Sequence, residues 1–252
     1  MYLRMVEATV KEEENLSLEN LYTEIILKVL GKTDGCIFAG LLQHRDKPRK
    51  YISLTLWSSK TDAEAYVQSG DYNKNVVTVQ HTLEEGNEWK IQLTRNNTVE
   101  YSPVQSTPTV TSYPVADRLD SLPPHIAEKS SHLRILSLKV NKGDKNEFSR
   151  IYNTEILPAL KNVNGCRYAF LLDNFEHNEE MISLTVWDDI ASIEHYEQGG
   201  TFDGFMKKLG PTLGELYQWK MALESQSSSL KTVTSQDIGI SKFRMITGKN
   251  FG

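Results

Sequence analysis

The sequence is poor in the features that usually announce a chemistry. It has two cysteines, Cys36 and Cys166, in 252 residues. Two thiols cannot build the disulfide framework of a small secreted scaffold. No Cys/His group has the spacing of a zinc site, so no metal is expected. Each cysteine follows a glycine and precedes a strand-like run, which reads as one small buried residue present twice. Positive charge is not in excess: 28 Lys and Arg against 33 Asp and Glu leave a net charge of −5. Nucleic-acid binders usually carry a basic face, so no nucleic-acid partner is expected. Long apolar runs are missing too. Ile25 to Leu30 is interrupted by Lys28 and is far too short to span a bilayer. The N-terminal "MYLRMVEATVKEEE" lacks the basic-then-apolar pattern of a secretion signal. These absences lead to the expectation of a cytoplasmic protein with no membrane partner. "GGTFDG" at 199–204 lacks the spacing and the preceding strand of a nucleotide loop, and no nucleophile-elbow pattern occurs.

What the chain does have is a repeat. "YISLTLW" (51–57) returns as "MISLTVW" (181–187), an offset of 130. At that offset Leu3-Arg4 falls on Leu133-Arg134, Tyr22 on Tyr152, Gly35-Cys36 on Gly165-Cys166, and Trp89-Lys90 on Trp219-Lys220. No gap is needed from Leu3 to Leu93, and roughly three in ten positions are identical. Two units of this length are a duplicated domain, not a solenoid of short repeats. The expected layout is a first domain at 1–94, a linker at 95–131, a second domain at 132–224 and a tail at 225–252. The linker holds five of the eight prolines and reads as extended and semi-rigid. The tail is expected to be partly ordered at best, although Ile240, Phe243 and Ile246 could dock.

Each unit reads strand, helix, strand, strand, helix, strand. Alternation and β-branched content mark "LRMVEATV" and "LRILSLKV" as strands. Leu18, Leu21, Tyr22, Ile25 and Val29 recur at helical spacing, as do Phe148, Ile151, Tyr152, Ile156 and Leu160. Pro158 falls inside the second pattern and should kink or shorten that helix. Ser58-Ser59 and Asp188-Asp189 follow the strand-end tryptophans and suit helix caps. The following helices should break at Gly70 and at Gly199-Gly200. The last strand of each unit should hold Trp89 or Trp219. This order is the ferredoxin-like split βαβ, an α+β fold whose sheet carries helices on one face and needs a partner on the other. Two repeats in one chain can form an intramolecular pseudo-dimer of the barrel type, or pair with a second chain as a homodimer.

In the repeated strand, Ile52, Leu54 and Leu56 share one face and Tyr51, Ser53, Thr55 and Trp57 the other. The aliphatic face is expected to cover the helices, and the hydroxyl and aromatic face to meet another sheet around a narrow cavity. Glu7 on strand one would then point into that layer, with Lys90 or Lys220 as a partner, or else sit solvated at a strand end.

The runs "DGCIFAGLL", "ISLTLW", Tyr66 and Gly70, with their copies "NGCRYAFLL", "ISLTVW", Tyr196 and Gly200, resemble the antibiotic biosynthesis monooxygenase domains of the dimeric α+β barrel superfamily. The resemblance covers both repeats but not the linker or the tail. It implies the fold and an activity among several: cofactor-independent oxygenation of phenols and quinols, haem degradation, or no known activity. The haem-degrading branch implies an Asn on strand one, a Trp on the second helix and an iron-ligating His beyond it. Here Glu7-Ala8 and Ser137-Leu138 lie near the first position, Tyr66 and Tyr196 hold the second, and Val76 and Met206 the third. Haem degradation is therefore not expected. A cofactor-independent oxygenase needs only a dry pocket, orientation and hydrogen-bond donors. The candidate pocket is drawn from Tyr66, Tyr196, Trp57, Trp187, Glu7 and Met206, acting on or binding a small aromatic, quinol-type molecule with no cofactor. The rival expectation is a non-catalytic ligand-binding or structural protein of the same fold, with the aromatics serving as packing.

Overall fold

Strand one alternates Leu3 and Met5 with Arg4, Val6 and Ala8, so both faces of the first strand are provided with bulk and the strand must lie between two layers. The computed structural model describes residues 1–93, 99–105, 108–118, 131–174, 179–226 and 236–251. It divides into two units, Met1–Ser112 with Ile246–Gly252, and Tyr113–Met245. These bounds differ from the sequence-based layout because strands in the expected linker and tail belong to the folded units.

The first unit runs β1 (Tyr2–Thr9), α1 (Asn15–Leu21), a π-helical stretch (Tyr22–Ile26), α2 (Leu27–Leu30), β2 (Cys36–His44), β3 (Lys50–Trp57), α3 (Lys60–Gln68) and α4 (Asp71–Val79). The hairpin β4 (Glu85–Leu93) and β5 (Val99–Gln105) follows, and then β6 (Thr109–Arg118) begins. Strand β3 lies between β1 and β2, antiparallel to both, with Val6 opposite Ser53 and Leu41 opposite Ser53 on its other side. The second unit runs β7 (His132–Lys139), α5 (Lys145–Ile151), a second π-helical stretch (Tyr152–Ile156), α6 (Leu157–Leu160), β8 (Cys166–Asn174), β9 (Glu180–Trp187), α7 (Ile190–Gln198), α8 (Thr201–Leu209), α9 (Glu215–Gln226) and β10 (Ile238–Asn250). Its sheet has the order β10–β7–β9–β8–β6, antiparallel throughout. Both units thus show the ferredoxin-like α+β plan.

Local signals act as expected. The Ser59 hydroxyl accepts from the Asp62 N–H at 3.1 Å, and the Asp189 carboxylate from the Ser192 N–H at 2.7 Å. Gly70 and Gly200 take left-handed φ of 83° and 80° between consecutive helices. Pro158 opens α6, but the π-helical stretch before it also occurs in the first unit, where no proline stands. The distortion therefore belongs to the repeat and not to the proline.

Three expectations are corrected. First, the faces of the repeated strand are reversed. Tyr51 and Trp57 lie in the core with Leu18, Tyr22, Ile26 and Tyr66 from the helices, while Ile52, Leu54 and Leu56 are buried on the opposite face. The reason is hydrogen bonding: the Tyr22 hydroxyl shares a bond with the Ser53 hydroxyl at 2.9 Å, and the Trp57 indole N–H donates to Thr55 Oγ1 at 2.9 Å. The polar atoms of this face are satisfied locally, so it can lie under helices. Second, Trp219 and Lys220 are not on a strand. "ELYQWKMALESQ" is rich in Leu, Met, Ala, Glu, Gln and Lys and forms α9, whose Tyr217 N–H is capped by the buried Asp237 carboxylate at 3.0 Å. The position beside β7 is filled by β10, paired from Ile238 opposite Leu138 to Arg244 opposite His132. In the first unit the strand with Trp89 and Lys90 pairs with β5 instead. Third, residues 238–250 of the tail form a 13-residue strand, with Phe243 and Met245 buried, residues 227–235 lie outside the described residues, and the linker contributes β5 and β6. Residues 119–130 of that linker lie outside the described residues.

Gly35 has φ of 76°, and a Cβ there would stand 2.4 Å from the Asp62 Cγ; at Gly70 it would meet nothing within 4 Å. Left-handed strain costs about 1–2 kcal/mol for an alanine. Gly70→Ala should therefore lower unfolding free energy by about 1 kcal/mol, and Gly35→Ala by at least about twice that. Urea denaturation of the two variants measures the difference.

Candidate ligand pocket

Strands β1 and β3 of the first unit send small or polar side chains toward the helices. Arg4, Val6 and Ala8 come from β1, and Ser53 and Thr55 from β3. Small residues at these points leave the helical layer unfilled. A cavity of about 80 Å³ results, closed above by Tyr22 and Ile26, by Tyr66 of α3, and by Tyr72, Asn75, Val76 and Val79 around α4. Pro108, from the segment expected to be only a linker, also lines it.

The polar atoms form a short network. The Asn75 amide donates to the Tyr66 hydroxyl at 2.8 Å. The Tyr66 ring stacks on Trp57 with centroids 5.2 Å apart and meets Tyr72 edge-on at 6.2 Å. The guanidinium of Arg4, a residue only 6% exposed, lies 4.1 Å over the Tyr72 ring and 6.0 Å from that of Tyr66. Burial pushes the Tyr66 hydroxyl up to about 12 from 10.0, against the opposing pull of Asn75 and Arg4. Burial likewise raises Tyr22, with Ser53 opposing. Tyr22 and Tyr66 are therefore neutral hydrogen-bonding groups near neutral pH. Among the described residues, no Asp, Glu, His or Cys lines the cavity. Nearby Cys36 is a free, buried thiol that burial raises to about 12, so it is inert.

In the second unit the same positions carry larger groups. Val6, Ala8, Leu18 and Val76 become Leu136, Leu138, Phe148 and Met206, and Asn75 becomes Phe205. All five belong to one buried core. Tyr196 packs against Trp187 at 5.1 Å, Phe202 at 5.8 Å and Phe205 at 6.3 Å. Arg134, the counterpart of Arg4, lies 4.4 Å over the Phe202 ring and donates from Nε to Glu197 at 2.8 Å, while Lys242 also holds Glu197. Burial works against the Glu197 charge, but these two cations outweigh it and lower its pKa.

Of the residues singled out from sequence, Tyr66 lines the cavity and Trp57 forms the layer behind it. Tyr196, Trp187 and Met206 come together in the second unit as packed core. Glu7 is not in a pocket: it is exposed and paired with Lys50 at 2.9 Å, not with Lys90 or Lys220. The reversed sheet faces explain this, since Glu7 lies on the face away from the cavity. Arg4, Tyr22, Ser53, Tyr72 and Asn75 were missed as site residues. Arg4 was visible as a repeated cation in a strand of apolar residues.

The fold and pocket define a class, a tandem α+β protein with an aromatic-walled cavity between helices and sheet. The chain belongs to the antibiotic biosynthesis monooxygenase family, whose sequence profile matches residues 1–76 and 132–208, one match in each repeat and together more than half of the chain. No curated protein matches the sequence. Among solved structures, the chain is similar to a candidate monooxygenase from Fusobacterium nucleatum subsp. nucleatum ATCC 25586, with TM-score 0.69, 11% identity, and 100% of this chain and 94% of that one covered. It is also similar to a candidate monooxygenase from Lactobacillus acidophilus NCFM, with TM-score 0.64, 10% identity, and 100% and 96% covered. An anthrone oxidase-like protein matches with TM-score 0.57, 12% identity, and 100% and 94% covered. At such identities the likeness is one of fold. The residues do not fit haem: the iron-ligand position holds Val76 in the cavity wall, and no lining residue offers an imidazole, thiolate or thioether. Among the described residues no three His, Cys, Asp or Glu are grouped to hold a metal, and no helix is long and apolar enough to cross a membrane.

Two measurements check this electrostatic picture. Tyr66, Cys36 and Cys166 hold their protons more tightly folded than unfolded, since their ordinary values of 10.0, 9.0 and 9.0 are all raised to about 12. Their contribution is complete below the ordinary values and is lost as pH climbs toward the folded ones. Urea midpoints should fall between about pH 9 and 11, less steeply in Tyr66→Phe. Removing the Glu197 charge strands the Arg134 guanidinium, so Glu197→Gln should cost about 2–4 kcal/mol at neutral pH, with a smaller cost at pH values low enough to protonate Glu197 in the parent.

Proposed function

We propose that the chain is a monooxygenase-like protein whose first unit binds and oxygenates a small single-ring phenol or quinol with dioxygen, without metal or organic cofactor. The observation that carries this reading is the cavity beside Tyr66: aromatic walls, a few converging polar groups and one buried cation. Its size sets the scale of the substrate. About 80 Å³ is less than the roughly 150 Å³ of an engineered cavity that holds benzene. One ring fits with modest movement of the walls; a fused tricycle such as an anthrone needs much more.

An ionised quinol is electron-rich enough to reduce dioxygen itself. For benzene-1,4-diol, addition of one oxygen atom to the ring and departure of the other as water gives 2-hydroxy-1,4-benzoquinone. Atoms and electrons balance with dioxygen as the oxidant. The protein's part is to hold the ring on the Tyr66 face, to donate hydrogen bonds and to exclude water. No lining side chain is a base at neutral pH, so the substrate proton leaves to solvent. The pH dependence of turnover should then follow the ionisation of each quinol used, shifting from one substrate to another.

The missing base favours a second reading, a protein that binds such a ring without turning it over. Oxygen uptake with benzene-1,4-diol, and mass spectrometry of product made under labelled dioxygen, separate the two. One labelled atom in the product is expected. Ala8→Leu with Val76→Met, which introduces two of the second unit's five larger side chains, should remove both binding and uptake while leaving the fold intact by circular dichroism. Binding with no uptake above the rate of autoxidation sinks the oxygenase reading and leaves the binding one.

A further inference from the structure

The two repeats keep the same arginine on strand one but treat its charge differently. In the second unit Arg134 is 1% exposed and neutralised by Glu197 on α7. The equivalent position on α3 is Val67, 38% exposed. Arg4 is left with the Tyr72 and Tyr66 rings and, among the described residues, with no carboxylate. A buried guanidinium without an anion is costly. Stacking on Tyr72 offsets only part of that cost, and it leaves the N–H edges of the planar fork available. Those edges belong to a residue that lines the cavity. Among the described residues, no other lining residue is an Asp, Glu, His, Lys or Arg.

From this asymmetry we propose that the first-unit cavity is an oxyanion site: Arg4 pairs with a carboxylate or ionised hydroxyl on a single-ring ligand, taking in trans the counter-charge that Glu197 supplies to Arg134. The inference rests on the reading that this cavity takes an aromatic ring and adds the ligand's charge. A bidentate guanidinium–oxyanion pair is stronger than its neutral analogue and selects for it. It also accounts for the absence of a protein base, because Arg4 favours the ionised form of whatever hydroxyl lies beside it.

Benzoate and benzamide have the same ring and nearly the same shape, but only benzoate is charged at neutral pH. Calorimetric titration of the full chain should show benzoate binding at least about tenfold more tightly than benzamide. Arg4→Met keeps the buried stem and should abolish the preference. Val67→Glu leaves Arg4 in place, introduces the second unit's partner at an exposed position, and should abolish it as well. The second variant answers the case in which Arg4→Met fails to fold. Equal affinity for both probes, or a preference that survives Val67→Glu, overturns the oxyanion assignment while the aromatic pocket stands. Failure of both probes to bind overturns both the assignment and the ring-binding reading beneath it.

Discussion

A guanidinium placed on the helix-facing side of an otherwise apolar strand constrains everything around it. Each repeat puts an arginine there, Arg4 or Arg134, and each must supply aromatic faces and hydrogen-bond acceptors within a core that would otherwise be hydrocarbon. This explains why the helix-facing side of β3 and β9 carries serine, threonine and tryptophan in both copies, with Tyr51 or Met181 at the far end. A purely aliphatic face would leave the polar layer unsatisfied. The repeated hydroxyl pairs, Tyr22 with Ser53 and Tyr152 with Ser183, and the tryptophan–threonine bonds at both strand ends tie that layer together. The π-helical stretches containing Tyr22 and Tyr152 recur with it, at the points where a helix must present a tyrosine hydroxyl to the sheet.

Much of the fold was legible because its signals are local and written twice. Caps at Ser59 and Asp189, left-handed glycines at 70 and 200, and the paired strands need only their neighbours to be understood. What was not legible depended on longer range. Alternation separates Ile52, Leu54 and Leu56 from Tyr51, Ser53, Thr55 and Trp57, but both sets are largely buried, so hydrophobicity alone does not say which one lies under helices. Only the tyrosine partners on a distant helix decide it. The same holds for Trp219. Its resemblance to Trp89 suggested a strand, whereas Leu, Met and Ala around it favour a helix, and the space beside β7 goes to residues 238–244.

The site was half legible for a related reason. Tyr66 and Trp57 were visible as repeated aromatics, and Tyr66 does line the cavity. Repetition also pointed to Tyr196 and Trp187, and the family's ligand position to Met206; all three sit among core residues. A motif shared by both copies reports what the fold needs. Any difference in use must lie where the copies diverge: Ala8 against Leu138, Val76 against Met206, Asn75 against Phe205, Val67 against Glu197. Of these, only Val76 against Met206 stands out when the sequence is read for motifs, and then as the place of a missing iron ligand. Glu7, chosen for its charge, sits near the end of its strand on the face away from the cavity, in an exposed pair with Lys50.

The divergence has a direction that packing energetics makes explicit. Filling a cavity stabilises a core by about 24 cal/mol per Å³, so leaving about 80 Å³ open forgoes about 2 kcal/mol on that scale. The second unit takes the filled arrangement and adds a buried ion pair to its arginine. The first unit does neither, although single substitutions already present in its twin would accomplish both. An unfilled space next to an unpaired buried cation is a double destabilisation held at one place, and marginally stable proteins keep such features where function requires them. The asymmetry between two copies of one fold, more than any motif, is what supports placing the proposed site in the first repeat.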